Sequence, residues 1–161
     1  MQKIGSAVYR HMQLLATIGA LLKFVLVFAR GVFALFVAAV VGFGSYVMIQ
    51  ALYLSIWGYG GGVIAVLVCT TGIGAGVGSY IAWLDRDHDL RIQALLVVIA
   101  LAFGLGGAWF GLQRGIDIGA LHPIWKPGIP EIHITTVGAV IGANIPTFAL
   151  GLYKAIRDPR L

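Results

Sequence analysis

From residue 31 to residue 84 the chain runs 54 positions without an Asp, Glu, Lys, Arg or His. One bilayer crossing takes about 20 apolar residues, so this stretch is too long for one helix and suits two. Its only turn signal is Gly58-Tyr59-Gly60-Gly61-Gly62, a composition that ends helices. The pattern predicts a first span over 32–57 and a second over 63–84. Residues 92–113 are again free of charge and predict a third span; 134–153 predict a fourth. No run alternates polar and apolar with a period of two, and the runs are too few to close a β-barrel. The expected fold class is an all-α integral membrane protein, a four-transmembrane-helix bundle forming a single domain over 1–161.

The first 30 residues follow a different rhythm. Lys3, Ser6, Arg10, Gln13 and Thr17 recur at alternating spacings of 3 and 4. On a helical wheel they fall within about 80° of one another. Ile4, Val8, Met12, Leu15 and Ile18 point elsewhere. This predicts an N-terminal amphipathic interfacial helix over 1–30, lying on the inner leaflet. Lys3 and Arg10 would meet anionic headgroups there, each worth about 1 kcal/mol. The rival is a fifth crossing over 12–29, which would bring Lys23 near mid-membrane at a cost of roughly 3 kcal/mol. A cleaved leader is disfavoured, because no small-x-small site follows the apolar run.

Composition and charge sharpen the picture. Hydrophobic residues make up 60% and charged residues 11% of the chain, where a soluble domain carries about 25% charge. That excludes a soluble enzyme and a disordered segment. The single Cys69 excludes a disulfide scaffold. Nine of the 11 Lys and Arg fall on one side of the predicted topology, and only Arg114 and Lys126 on the other. Positive charge stays inside, so both termini are expected in the cytoplasm of a bacterium, with the chain in its inner (plasma) membrane. Trp57, Tyr59, Trp83, Trp109 and Tyr153 fall near predicted span ends, where amphipathic rings favour the headgroup level. The net charge of +5 follows from this topology and does not suggest nucleic acid.

Small residues recur at helical spacing. Gly72/Gly76 and Gly74/Gly78 in the second span, Gly107/Gly111 in the third and Gly138/Gly142 in the fourth are small-xxx-small pairs. Lipid gives apolar groups no reason to leave it, so helices associate through close backbone approach and hydrogen bonds. These eight glycines are the expected helix-packing interface, within the chain, between copies or with other membrane subunits. The run Gly72–Ser79 resembles the ring subunits of rotary ATPases. That family carries its ion on a mid-membrane carboxylate, and no Asp or Glu falls in any predicted span here, so ion translocation by that route is excluded.

Candidate chemistry is sparse. Polar residues in the spans are neutral, and the most informative set is Asn144-Ile145-Pro146-Thr147. Pro146 lacks an N–H and conflicts with the carbonyl of Gly142, which predicts a kink or break in the fourth span. Carbonyls freed there, with Asn144 and the Thr70/Thr71 pair, are the candidate permeation residues. The inner loop 85–91 has alternating Asp but no EF-hand pattern; Asp89 is expected to cap the third span. No His falls in a span, so paired haem ligands are not expected. The outer loop, 114–133, holds Pro123, Pro127 and Pro130 with Ile116, Ile118, Leu121 and Trp125. A stiff, apolar loop of this kind suits docking, with Trp125, Pro123 and Pro127 as the contact residues. His122, Glu131 and His133 are the only metal-like set, with no familiar spacing. No catalytic residue, metal or cofactor is expected. The favoured function is a non-catalytic accessory subunit of a larger membrane complex. A small oligomeric channel or transporter comes second and a membrane enzyme third. The expected partners are membrane lipids and other membrane subunits or further copies of the chain.

Overall fold

The computed structural model of the chain describes residues 2–58, 62–84, 90–121 and 128–157, with side chains from Gln13 onward except Leu15 and Ala16. The described elements are four α-helices: α1 (Gln2–Trp57), α2 (Val63–Trp83), α3 (Leu90–Leu121) and α4 (Ile129–Arg157). Each is long and apolar enough to cross a membrane. At 1.5 Å per residue they measure about 84, 32, 48 and 44 Å.

Three sequence expectations need correction. Residues 1–30 were expected as a helix separate from the first span, yet α1 is continuous across position 30. Between Thr17 and Trp57 the chain has isolated glycines and no proline. One glycine costs a helix about 1 kcal/mol relative to Ala, too little to end it. No turn therefore divides 12–29 from 32–57, which removes a separate fifth crossing. The outer loop 114–133 is mostly helix: α3 continues to Leu121 and α4 begins at Ile129. Trp109 accordingly lies well inside α3 rather than near its end. Charge was read there as the end of a helix, but Arg114 and Asp117 sit on the helix surface, 3.7 Å apart. Pro130 falls in the first turn of α4, where its missing N–H is tolerated. Finally, α4 is not broken at Pro146, which lies inside a continuous helix.

The termini carry local signals. Gly58 adopts φ +68° and its N–H bonds to the Leu54 carbonyl at 3.1 Å. That left-handed cap ends α1 and suits glycine alone. Helix α4 has Glu131 in its first turn and Lys154 and Arg157 in its last, the charge order that opposes its dipole.

Contact pairs fix the arrangement. Position 42 of α1 meets 74 of α2, and 38 meets 78, so α1 and α2 are antiparallel. Gly72 meets Leu105 and Gly76 meets Leu101, making α2 and α3 antiparallel. Gly107 meets Gly138 and Gly142, and Gly115 meets Glu131, making α3 and α4 antiparallel. Among the described residues every pair of helices touches except α1 with α3. In cross-section α2 and α4 form the short diagonal. The core is thin and built of small residues: Ala34, Ala38, Ala75, Ala100, Ala108, Ala139 and Ala143 are all fully buried. Large side chains such as Phe28, Phe36, Met48 and Phe110 face outward. This inversion of the soluble pattern suits a solvent as apolar as the side chains.

Helix α1 reaches past its neighbours. Arg30 bonds to carbonyls at the end of α2, and no described side chain before Gly31 is buried. A Cβ on Gly19 would touch nothing within 4 Å. The roughly 20 residues before Lys23 extend about 30 Å further.

Candidate functional site

The eight packing glycines all lie at contacts between helices of this chain. Positions i and i+4 share a helix face, while i and i+2 point nearly opposite ways. Gly72 and Gly76 therefore face α3, and Gly74 and Gly78 face α1. A Cβ on Gly78 would come within 2.8 Å of Ala38 Cα, and one on Gly76 within 2.9 Å of Leu101 Cα. Gly107, Gly111, Gly138 and Gly142 interleave so that a Cβ on any of them would overlap a backbone carbonyl of the opposite helix. Gly115 extends this seam, while Gly104 turns to α2, where it meets Gly72 and Gly76; the sequence reading names neither. For Gly115 the spacing 107-111-115 was the available signal.

Where α2 meets α4, three polar side chains converge. Ser79 is fully buried, Asn144 is 5% exposed and Thr147 3%. Ser79 Oγ lies 3.0 Å from Asn144 Oδ1, 3.1 Å from the Ala143 carbonyl and 3.1 Å from Thr147 Oγ1. A hydroxyl has one proton, so Ser79 donates to one acceptor at a time and can accept from Thr147. Asn144 Nδ2 donates to the Val140 carbonyl at 2.8 Å, and Thr147 Oγ1 lies 3.0 Å from the Asn144 carbonyl, to which it donates when its one proton is not given to Ser79. Pro146 deprives the Gly142 carbonyl of its usual donor. The two hydroxyls gather at the adjoining Ala143 and Asn144 carbonyls. No His or carboxylate takes part in these bonds. The cluster has no group to activate the Ser79 hydroxyl, and its chemistry is that of a polar clamp.

The other candidate permeation residues lie apart from it. Thr70 Oγ1 bonds back to the Val66 carbonyl at 2.6 Å. Thr71 is fully buried and its hydroxyl has no hydrogen-bond partner. It precedes Ser79 by two helical turns, about 12 Å.

Beyond the clamp, toward the end of α2, side chains grow large. Trp83 stacks edge-on to Phe148 with centroids 6.3 Å apart, and Gly151 leaves room for its ring. Arg30 Nε donates to the Ala82 carbonyl at 3.2 Å and Nη2 to the Leu84 carbonyl at 3.1 Å. These are carbonyls at a helix C-terminus, which lack intrahelical donors and attract a cation. The guanidinium also lies 5.2 Å from the Trp83 ring centre. Around this group the four helices border a partly open cavity of about 260 Å³. Lys23 and Arg30 of α1 and Lys154 of α4 contribute to its lining, and no acidic residue does so among the described residues. Leu26, Leu96 and Leu150 make part of its apolar wall, and Thr147 belongs to both the clamp and the cavity. Nothing in the linear order points to this site, because its residues come from four separate helices.

His133 is exposed and Glu131 half-buried, with Glu131 packed against Gly115. His122, Trp125, Pro123, Pro127 and Asp89 lie outside the described residues. No group of three His, Cys, Asp or Glu that could hold a metal occurs among the described residues. Cys69 is exposed and free. No family model matches the chain, and neither a curated protein nor a solved structure matches it.

Proposed function

We propose that this chain is a non-catalytic structural or accessory subunit of a larger complex, embedded in the bacterial inner membrane with both termini in the cytoplasm. The observation that carries the reading is the extension of α1. Leu14, Ile18, Leu21, Leu22, Phe24 and Val25 are all exposed along it, beyond the level at which α2 ends. In water that surface would be a liability, and one bilayer thickness cannot contain a helix of about 84 Å. A neighbouring subunit covers it in this reading. The packing glycines support the same view indirectly. They are taken up inside the chain, so contact with other subunits falls to α1, to the Trp125 loop and to the outward apolar faces.

The test is recovery from native membranes in mild detergent. The expected result is a complex with foreign subunits at fixed stoichiometry, crosslinked to a photoreactive residue placed at Leu21. Recovery only as a monomer or homo-oligomer, with crosslinks to lipid alone, overturns the proposal. A second reading, a small transporter, is favoured by one feature: Thr147 joins the buried clamp to the cavity. Substrate flux through proteoliposomes that is lost on Asn144→Leu would support it over the first.

A further inference from the structure

We propose that two copies of this chain pair through α1, whose helices wind into a parallel, left-handed, two-stranded coiled coil over residues 14–35. The inference uses the exposed face of α1 that carries the subunit reading, but it needs no foreign subunit. Leu14, Leu21, Phe28 and Leu35 recur every seven residues, and Ile18, Val25 and Val32 fall four residues after the first three of them. All are exposed on the single chain, by 39–66%. A seven-residue repeat keeps an apolar seam turned toward a partner helix, and the helices supercoil left-handedly to hold it there. Lipid imposes no such period. The residue types choose the number of strands. β-branched side chains at one seam position (Ile18, Val25, Val32) with leucine prevailing at the other (Leu14, Leu21, Leu35) favour two parallel strands. Two copies inserted in one membrane share an orientation, so their α1 helices run parallel.

The rest of the helix suits a second copy. Lys23 and Arg30 lie on the side of α1 opposite the seam, so like charges do not meet across it. The positions flanking the seam are neutral: Thr17 and Phe24 on one side, Leu22 and Ala29 on the other. In a parallel pair these two rows face each other, which brings Phe24 of one copy opposite Ala29 of the other, large against small. Thr17 Oγ1 donates to the Gln13 carbonyl of its own helix at 2.9 Å and needs no partner across the seam. The seam also continues an existing interface. Past Leu35 the same repeat reaches Ala39, Gly42 and Tyr46, where α1 is already packed: Ala39 rests against the core, Gly42 meets Ala75 and Tyr46 is buried. Toward its N-terminus α1 outruns α2, and the second copy continues that packing. Gly31, Ala34 and Ala38, the face held in the bundle, lie about a quarter-turn from the seam. Helix α1 therefore keeps its own bundle while it pairs. The outer edges of the paired stripe stay open to foreign subunits.

The test uses the full chain in liposomes with Cys69→Ala, which removes its only thiol. A single thiol is then placed in the seam by Leu14→Cys, Leu21→Cys or Phe28→Cys, or away from it by Leu26→Cys or Phe33→Cys. Leu26 and Phe33 are also exposed but point to another side of α1. Mild oxidation is expected to link two copies at least about tenfold faster at the seam positions than at the other two, because a disulfide needs Cβ atoms within about 4.5 Å. Equal rates at all five positions would mean random collision and would overturn the proposal. Leu14→Glu with Leu21→Glu puts like charges into the seam of both copies. Energy transfer between donor- and acceptor-labelled copies is expected to fall about tenfold, to the level of random mixing. Neither leucine is buried in the bundle, so the unfolding midpoint of the single chain is expected to stay put. Undiminished energy transfer at that unchanged midpoint would also overturn the pairing. In native membranes, seam thiols that link only to a foreign polypeptide would sink the second copy as occupant and leave the subunit reading standing. Seam-linked pairs in a preparation free of foreign subunits would support the pairing and sink the subunit reading instead.

Discussion

The α3–α4 seam and the α2–α4 diagonal are two different ways of joining helices, and they lie along the same α4. At the seam, Gly107, Gly111, Gly138 and Gly142 bring two backbones together with nothing between them. At the diagonal, Ser79 reaches across to Asn144 and Thr147, and Trp83 fills the next turns against Phe148 and Gly151. The first join is tight because it has no side chains. The second stands wider because it has large ones, and the cavity opens beside them. Glycine thus sets how near two helices come, while polar and aromatic residues set register and leave space. In lipid the two devices are complementary, since neither draws on a hydrophobic driving force.

Substitutions can break this contrast, starting with the seam. Gly107→Leu forces a side chain into the Gly138 backbone, which cannot yield as a flexible side chain would. A loss of at least about 3 kcal/mol is expected, read as collapse of the folded fraction in a mixed-micelle unfolding titration. Gly76→Leu should behave similarly, because it meets Leu101 backbone. A wild-type unfolding midpoint for either variant would disprove the close approach.

At the diagonal the expected effects are smaller. Trp83→Ala removes the edge contact with Phe148 and the surface beneath Arg30. A loss of about 2–3 kcal/mol is expected, below a full core truncation because the ring is half-buried. Asn144→Leu leaves Ser79 without its nearest side-chain acceptor and should cost about 1–2 kcal/mol, the range for hydrogen bonds between membrane helices. A cost above that of Trp83→Ala would show that the clamp, rather than aromatic packing, holds the diagonal. Gly106→Leu is the smallest: a Cβ there meets nothing within 4 Å. The unfolding midpoint should move by less than about 0.5 kcal/mol equivalent. A larger shift would mean that α3 lies closer to a neighbour than this arrangement allows.

Much of the architecture was legible in the sequence. The charge-free stretch 31–84 and its glycine turn give the end of α1, both ends of α2 and the break between them nearly to the residue, but not the start of α1, which reaches back to Gln2. Helices α3 and α4 run past the charge-free windows 92–113 and 134–153, because charge marks a change of solvent and does not by itself end a helix. Leu121 and Ile129 bracket the proline-rich stretch, while Arg114 and Asp117 remain helical. Asn144 and Pro146 stand out in the sequence, but the partner of Asn144, Ser79, is 65 positions away and nothing in the linear order pairs them.

The sequence by itself determined that the chain is helical and apolar, and which residues are small enough to let helices meet. Those properties follow from local chemistry, in windows of a few turns. Only the tertiary structure decided which glycine faces which helix, that the Asn144 cluster is closed by hydrogen bonds, and that Lys23, Arg30 and Lys154 share one cavity. Each of those depends on the rotation of one helix against another. A rotation of 100° per residue carries a side chain from one neighbour to the next, so a shift of a single position, invisible in composition, changes every partner.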